Sequence, residues 1–101
     1  MRTDNLKDWG ITLKASKLEL LAAIGSPEIE DNEPKTDIKY QWYVLFGVDF
    51  KIGSVRNRLV KNKILNNEII EWDILTAEPY DALLCKDALT ELILKLKMEI
   101  E

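Results

Sequence analysis

The run Ile38-Lys39-Tyr40-Gln41-Trp42-Tyr43-Val44-Leu45-Phe46-Gly47-Val48-Asp49-Phe50-Lys51-Ile52 carries an apolar side chain at every even position. Successive side chains of a strand point to opposite faces, so this alternation predicts Ile38, Tyr40, Trp42, Val44, Phe46, Val48, Phe50 and Ile52 on one face of a sheet. Fifteen extended residues would reach about 50 Å, too long for one strand of a domain with a radius of gyration near ~13 Å. The run must therefore break or bend at Gly47, either as the first central residue of a type II′ hairpin or as a bulge. The hairpin is favoured, with strands at 39–46 and 49–56.

A second alternation, Ile70, Trp72 and Ile74 with Glu71 and Asp73 opposite, predicts a strand over 68–75 after a turn at Asn66-Asn67. Residues 59–65 are a candidate fourth strand, although Leu59-Val60 and Ile64-Leu65 fit no single face. Beyond these strands, Thr76 can cap a helix over 78–99, with Pro79 in its first turn and Glu78 and Asp81 at its positive end. Its expected core stripe is Leu84, Cys85, Ala88, Leu89, Leu92, Ile93, Leu96 and Ile100. Upstream, Ser16-Lys17-Leu18-Glu19 is a capping box opening a helix over 17–24, ended by Gly25 and Pro27. Residues 5–9 read as a short turn ended by Gly10. Between helix and first strand lies an acidic loop at 28–37, holding Glu28, Glu30, Asp31, Glu33 and Asp37 against Lys35 alone.

The expected fold is α+β in two layers: an antiparallel sheet of three to four strands under a long C-terminal helix, with a short N-terminal helix. A chain of 101 residues with 47% hydrophobic and 32% charged composition suits one domain over 1–101. The N-terminal residues lack the apolar segment of a signal peptide, and no apolar run approaches the ~20 residues that span a bilayer. A single cysteine, Cys85, allows no internal disulfide and favours a reducing cytoplasm.

In order along the chain stand Ile24-Gly25-Ser26-Pro27, Lys39-Tyr40-Gln41-Trp42, Phe50-Lys51-Ile52, Glu71-Trp72-Asp73-Ile74 and a closing amphipathic helix. This order resembles small, uncharacterised phage and viral proteins over residues 16–96. Their Tyr-Asp-aromatic-Lys stretch is replaced here by Gly53-Ser54-Val55-Arg56, and their His-Gly-Gly element by Asp73-Ile74-Leu75-Thr76. The resemblance implies a mobile-element origin and assigns no functional residue.

Histidine is absent. That removes imidazole acid–base chemistry, Ser/His/Asp and Cys/His nucleophiles and the commonest metal ligand. Glu71 and Asp73 could divide acid and base roles, but exposed strands commonly carry such acids without chemistry. Cys85 reads as a small hydrophobe on the helix stripe, Trp42 and Trp72 as core, and Tyr43 as an outward aromatic. No catalytic residue, metal ligand or cofactor is expected.

Charge is uneven along the chain, whose net charge is −4. Residues 50–67 hold Lys51, Arg56, Arg58, Lys61 and Lys63 with no acid, while nine basic and eighteen acidic residues make up the rest. Arg56, Arg58, Lys61 and Lys63 are candidate phosphate contacts, which makes a nucleic-acid-binding module using 51–63 the second reading. A helix-turn-helix over 6–25 is excluded, because its recognition helix would offer Leu18, Glu19, Leu20, Leu21, Ala22, Ala23 and Ile24 to base edges.

On the C-terminal helix, Tyr80, Leu83, Leu94 and Met98 fall about 180° to 240° from Leu92. They form a candidate interface for a protein partner or a second copy, unless the N-terminal helix covers them. The leading reading is a non-enzymatic protein-interaction protein, an inhibitor of a host factor from a phage or mobile element. A small enzyme without histidine is the third.

Overall fold

Two tryptophans 30 residues apart in the chain organise the core. Trp42 and Trp72 are fully buried and meet edge to face with ring centroids 5.4 Å apart. In the computed structural model, which describes residues 5–30, 40–57 and 64–100, each indole N–H also finds a backbone carbonyl. Trp42 Nε1 donates to Gly25 O at 2.8 Å, and Trp72 Nε1 to Ala15 O at 2.9 Å. Each ring therefore fastens a strand to the segment beside the N-terminal helix.

The chain forms β1 (Lys7–Ala15), α1 (Lys17–Ile24), β2 (Ile29–Glu30), β3 (Tyr40–Phe46), β4 (Lys51–Asn57), β5 (Ile70–Thr76) and α2 (Pro79–Ile100). The strands make one antiparallel sheet in the order β1-β5-β4-β3-β2, with both helices on one face. This is the expected α+β architecture. Leu13, Ala15, Trp42, Phe46, Val55, Trp72 and Ile74 of the sheet pack against Leu20 of α1 and Ala82, Cys85, Leu89 and Ile93 of α2.

The predicted capping box is present at α1. Ser16 Oγ accepts from Glu19 N at 3.1 Å, and Glu19 Oε1 accepts from Ser16 N at 2.9 Å. Gly25 ends the helix at φ 81°, donating its N–H to Leu21 O.

Several expectations are corrected. Residues 5–9 do not form an isolated turn, because Lys7–Ala15 is an edge strand paired with β5. Its period is interrupted: Asp8 faces Leu75 and Thr12 faces Asp73, leaving Trp9, Gly10 and Ile11 opposite one residue. That bulge, with Gly10 at φ 80° and its N–H on Asp8 Oδ1, hides the alternation of Ile11, Leu13 and Ala15.

Gly47 lies in a hairpin, not a bulge, but the loop has four residues, 47–50, instead of two. Phe46 pairs with Lys51, and Phe50 N–H donates to Gly47 O at 3.4 Å. Any even-length loop, of two residues or four, pairs an even with an odd position, so the second strand cannot keep its even positions on the face of the first. Gly53 and Val55 face the helices, Ile52 turns to the opposite face beside Leu45, and Val48 and Phe50 project from the loop. The eight even residues therefore do not share a face.

The acidic segment contributes β2 at its start. Glu28 N–H donates to Gln41 O, and Glu28 Oε2 accepts from Tyr43 N at 3.0 Å, closing the edge of β3. β5 begins at Ile70, two residues later than expected. Of the candidate strand at 59–65, residues 59–63 lie outside the described residues, and Ile64 and Leu65 are not in a strand. Asn66 and Asn67 do form the expected turn, without positive φ. Thr76 does not cap α2 by accepting an amide: its hydroxyl donates to Glu78 O at 2.6 Å.

Helix α2 is rotated by about 40° from the expected setting. Ala82, Cys85, Leu89 and Ile93 are its buried line, whereas Leu84, Ala88 and Leu92 are exposed. Gly53 explains the placement. It leaves space into which Cys85 Sγ and the Phe46 ring move, each within about 3 Å of where a Cβ would stand.

Candidate functional site

Rotation of α2 leaves its solvent side open. Tyr80 is 68% exposed, Leu83 46%, Leu94 55% and Met98 76%. Helix α1 does not cover them, because it lies against a different side of α2, that of Ile93, Leu96 and Lys97. The four apolar side chains are brought to one side of one helix, with Asp87 and Glu91 between the two pairs, also exposed. Exposed apolar pairs of this kind, separated and rimmed by charge, resemble the mixed apolar and polar make-up of contact surfaces.

At the start of α2, Asp81 is buried and its Oδ1 holds Lys51 Nζ at 3.0 Å, with Asp49 Oδ2 at 3.7 Å. This ion pair ties the β3–β4 hairpin to the helix. At the other end of α2, Lys97 Nζ pairs with Glu19 Oε2 at 2.7 Å. Burial opposes the charge on Glu19, but the Lys97 ammonium and the Ser16 amide and hydroxyl outweigh it, holding this carboxyl below its usual range. Lys17 Nζ donates to Tyr40 Oη at 3.0 Å and lies 4.3 Å from the ring centroid.

Of the four basic candidates, Arg56 lies among the described residues. Arg56 stands on the helix-free face of the sheet, directly opposite Asp73 in the β4–β5 register. Arg58, Lys61 and Lys63 lie outside the described residues. Of the acidic candidates, Glu28 is engaged with β3, Glu30 sits in β2, and Asp31, Glu33 and Asp37 lie outside the described residues.

The carboxylates considered for catalysis are half-buried on the helix-free face, with Glu71 opposite Lys14 and Asp73 opposite Thr12 and Arg56. Both have interaction partners. Tyr43, also on this face, is half-buried beside Gln41, whose Nε2 donates to Ser54 Oγ at 2.8 Å and to Tyr43 Oη at 3.4 Å. Among the described residues no group of three His, Cys, Asp or Glu side chains gathers as a metal site, and no buried side-chain polar atom lacks a partner.

Cys85 is fully buried, and desolvation pushes its thiol up to about 12. A thiol so placed is almost wholly protonated at neutral pH and inert. In the native protein Cys85 is expected to react with a soluble disulfide reagent at least ~100-fold more slowly than in denaturant, since attack requires local opening. Equal rates, followed by absorbance, would show that the helix–sheet contact opens freely.

Sequence reasoning missed two features. Val48 and Phe50 form an exposed apolar loop tip, concealed by the apparent continuity of the alternation. A groove between α1 and α2 is lined by Leu18, Glu19, Ala22, Ile93, Leu96 and Lys97, and depends on how two distant helices meet. No helix among the described residues is long and apolar enough to cross a membrane. Comparison of the chain with protein-family profiles, curated proteins and solved structures returns no match.

Proposed function

We propose that this chain is a non-enzymatic interaction protein that docks a partner protein on the solvent side of α2. The observation that carries the reading is the exposure of Tyr80, Leu83, Leu94 and Met98 on a helix whose opposite side already fills the core. The absence of histidine and the burial of the only thiol support a binding role over a catalytic one. The lone cysteine suits a reducing cytoplasm, and the resemblance to small phage and viral proteins suits an inhibitor of a host factor.

Charge favours a foreign partner over a second copy. In a symmetric antiparallel pairing of two α2 helices, Asp87 of one copy would meet the region of Glu91 of the other across the two-fold axis. Like charges so juxtaposed oppose association. A partner with an apolar groove rimmed by lysine or arginine would satisfy both the aliphatic pairs and the acids between them.

The test is Leu94→Glu together with Met98→Glu. The circular-dichroism spectrum is expected to stay unchanged, because both side chains face solvent. A protein captured by the wild type and identified by mass spectrometry should be lost, and its association rate with the wild type should fall as ionic strength rises. Unfolding of the double variant would make the patch core. An unchanged set of captured proteins would remove the patch from function, and loss of a symmetric dimer by light scattering would point to self-pairing instead.

A further inference from the structure

The solvent side of α2 has the residue spacing of a helix-pairing seam. Tyr80, Leu83, Asp87, Glu91, Leu94 and Met98 follow one another at steps of 3, 4, 4, 3 and 4 residues, and all six are exposed. The steps average 3.6 residues, the repeat of a straight helix, so the six share one sector, about 180° to 260° from Leu92, and run along the axis for about 27 Å. Helices that pair lengthwise do so through positions three and four apart, normally apolar throughout. Here the two central positions are carboxylates.

No ion pair among the described residues engages Asp87 or Glu91. The lysines of α2, Lys86, Lys95 and Lys97, all fall outside the sector, and Lys97 is taken by Glu19. A charged side chain at a seam position destabilises a mismatched pair and is offset only by an opposite charge facing it. The order apolar pair, acid, acid, apolar pair also reads alike from both ends. In an antiparallel pairing of two copies, Tyr80 of one would face Met98 of the other, Leu83 would come close to Leu94, and Asp87 would face Glu91. The apolar contacts would match while four carboxylates met at the centre. This side of α2 is therefore spaced for a helix and charged against its own copy.

We propose that α2 pairs lengthwise with an amphipathic helix of the partner protein. That helix carries apolar residues toward both ends of its contact line and two lysines or arginines, one turn apart, at its centre. The inference rests on the docking role of α2 given above and names the element that docks. Two apolar pairs and two charges on each side make a modest contact, so specificity comes from the central charges more than from buried area.

The chain itself supplies the probe. Asp87→Lys with Glu91→Lys keeps both apolar pairs and reverses the central charges, so its α2 presents the pattern ascribed to the partner helix. In sedimentation equilibrium at ~100 µM, the wild type and this variant should each be monomeric alone. Their equimolar mixture should form a one-to-one dimer, with a weight-average mass at least ~1.5 times that of either. Raising the salt from ~0.05 M to ~0.5 M should weaken that dimer at least ~3-fold. Leu94→Glu with Met98→Glu, mixed with the charge-reversed variant, should stay monomeric. Asp87→Leu with Glu91→Leu makes the seam apolar throughout and should self-associate, a result that does not depend on the charge-reversed variant folding. A wild type that dimerises alone, a folded charge-reversed variant that leaves the mixture monomeric, or a leucine variant that stays monomeric would each overturn the proposal. If Leu94→Glu with Met98→Glu abolishes capture of a partner while the mixture stays monomeric, the docking role stands and the helical partner falls; if capture is unchanged, the docking role itself falls.

Discussion

Trp72→Ala is expected to leave the protein largely unfolded at ordinary temperature. The side chain is fully buried at the centre of the sheet, and its deletion forfeits its packing against Trp42 and the surrounding aliphatic residues. Large-to-small substitutions of this kind cost about 3–5 kcal/mol. The indole N–H is also the donor to Ala15 O, and an orphaned buried carbonyl adds about 1–3 kcal/mol. Against a total stability of about 5–15 kcal/mol, the combined loss removes most of the margin. Trp72→Phe separates the contributions. It preserves an aromatic ring beside Trp42 but not the donor, so it should lose only part of the alanine variant's stability. Denaturant titration followed by circular dichroism measures both. A loss below about 1 kcal/mol for Trp72→Ala would mean that the indole is not central to the core.

Gly53→Val is expected to destabilise the protein although β propensity alone favours valine within a strand. A Cβ at 53 would stand 3.0 Å from Cys85 Sγ and 3.1 Å from Phe46 Cε1, so even alanine must push one of them, and two further methyl groups drive α2 away from the sheet. Overpacking typically costs about 1–3 kcal/mol, whereas the propensity gain is at most about 1 kcal/mol. The decisive measurement is a double-mutant cycle with Gly53→Ala and Cys85→Ala. Removing the sulfur makes room for the new methyl, so the double variant should be more stable than the sum of the singles by at least ~0.5 kcal/mol. Strict additivity would show that Gly53 and Cys85 do not share the space.

The outcome at Gly53 illustrates what can be read locally and what cannot. The α1 helix was legible to the residue, because its signals are short-range: Ser16 and Glu19 are three apart, and Gly25 follows the last turn. The strands containing Trp42 and Trp72 were legible from period two, and the amphipathic C-terminal helix from its apolar residues and Pro79. Strand β1 was not legible, since a bulge at Gly10 breaks the period that defines a strand. The second half of the central alternation was misread for a related reason. A run of even apolar positions cannot report the length of the turn inside it, and a four-residue loop moves Val48 and Phe50 off the sheet.

For the candidate sites the division is sharper. Tyr80, Leu83, Leu94 and Met98 could be placed together from 100° steps along one helix, and their exposure agrees with that reading. Which side of α2 entered the core depended on the close approach of Cys85 to Gly53, a contact between residues 32 positions apart. The sequence by itself determined the class of the fold, the capped N-terminal helix, the inward tryptophans and the absence of imidazole chemistry, because these follow from residue identity and near-neighbour spacing. Only the tertiary structure decided the sheet order, the rotation of α2, the exposed tip at Phe50 and the groove between α1 and α2. These depend on which distant surfaces fill each other's space, and packing is a property of the pair of surfaces and not of either alone.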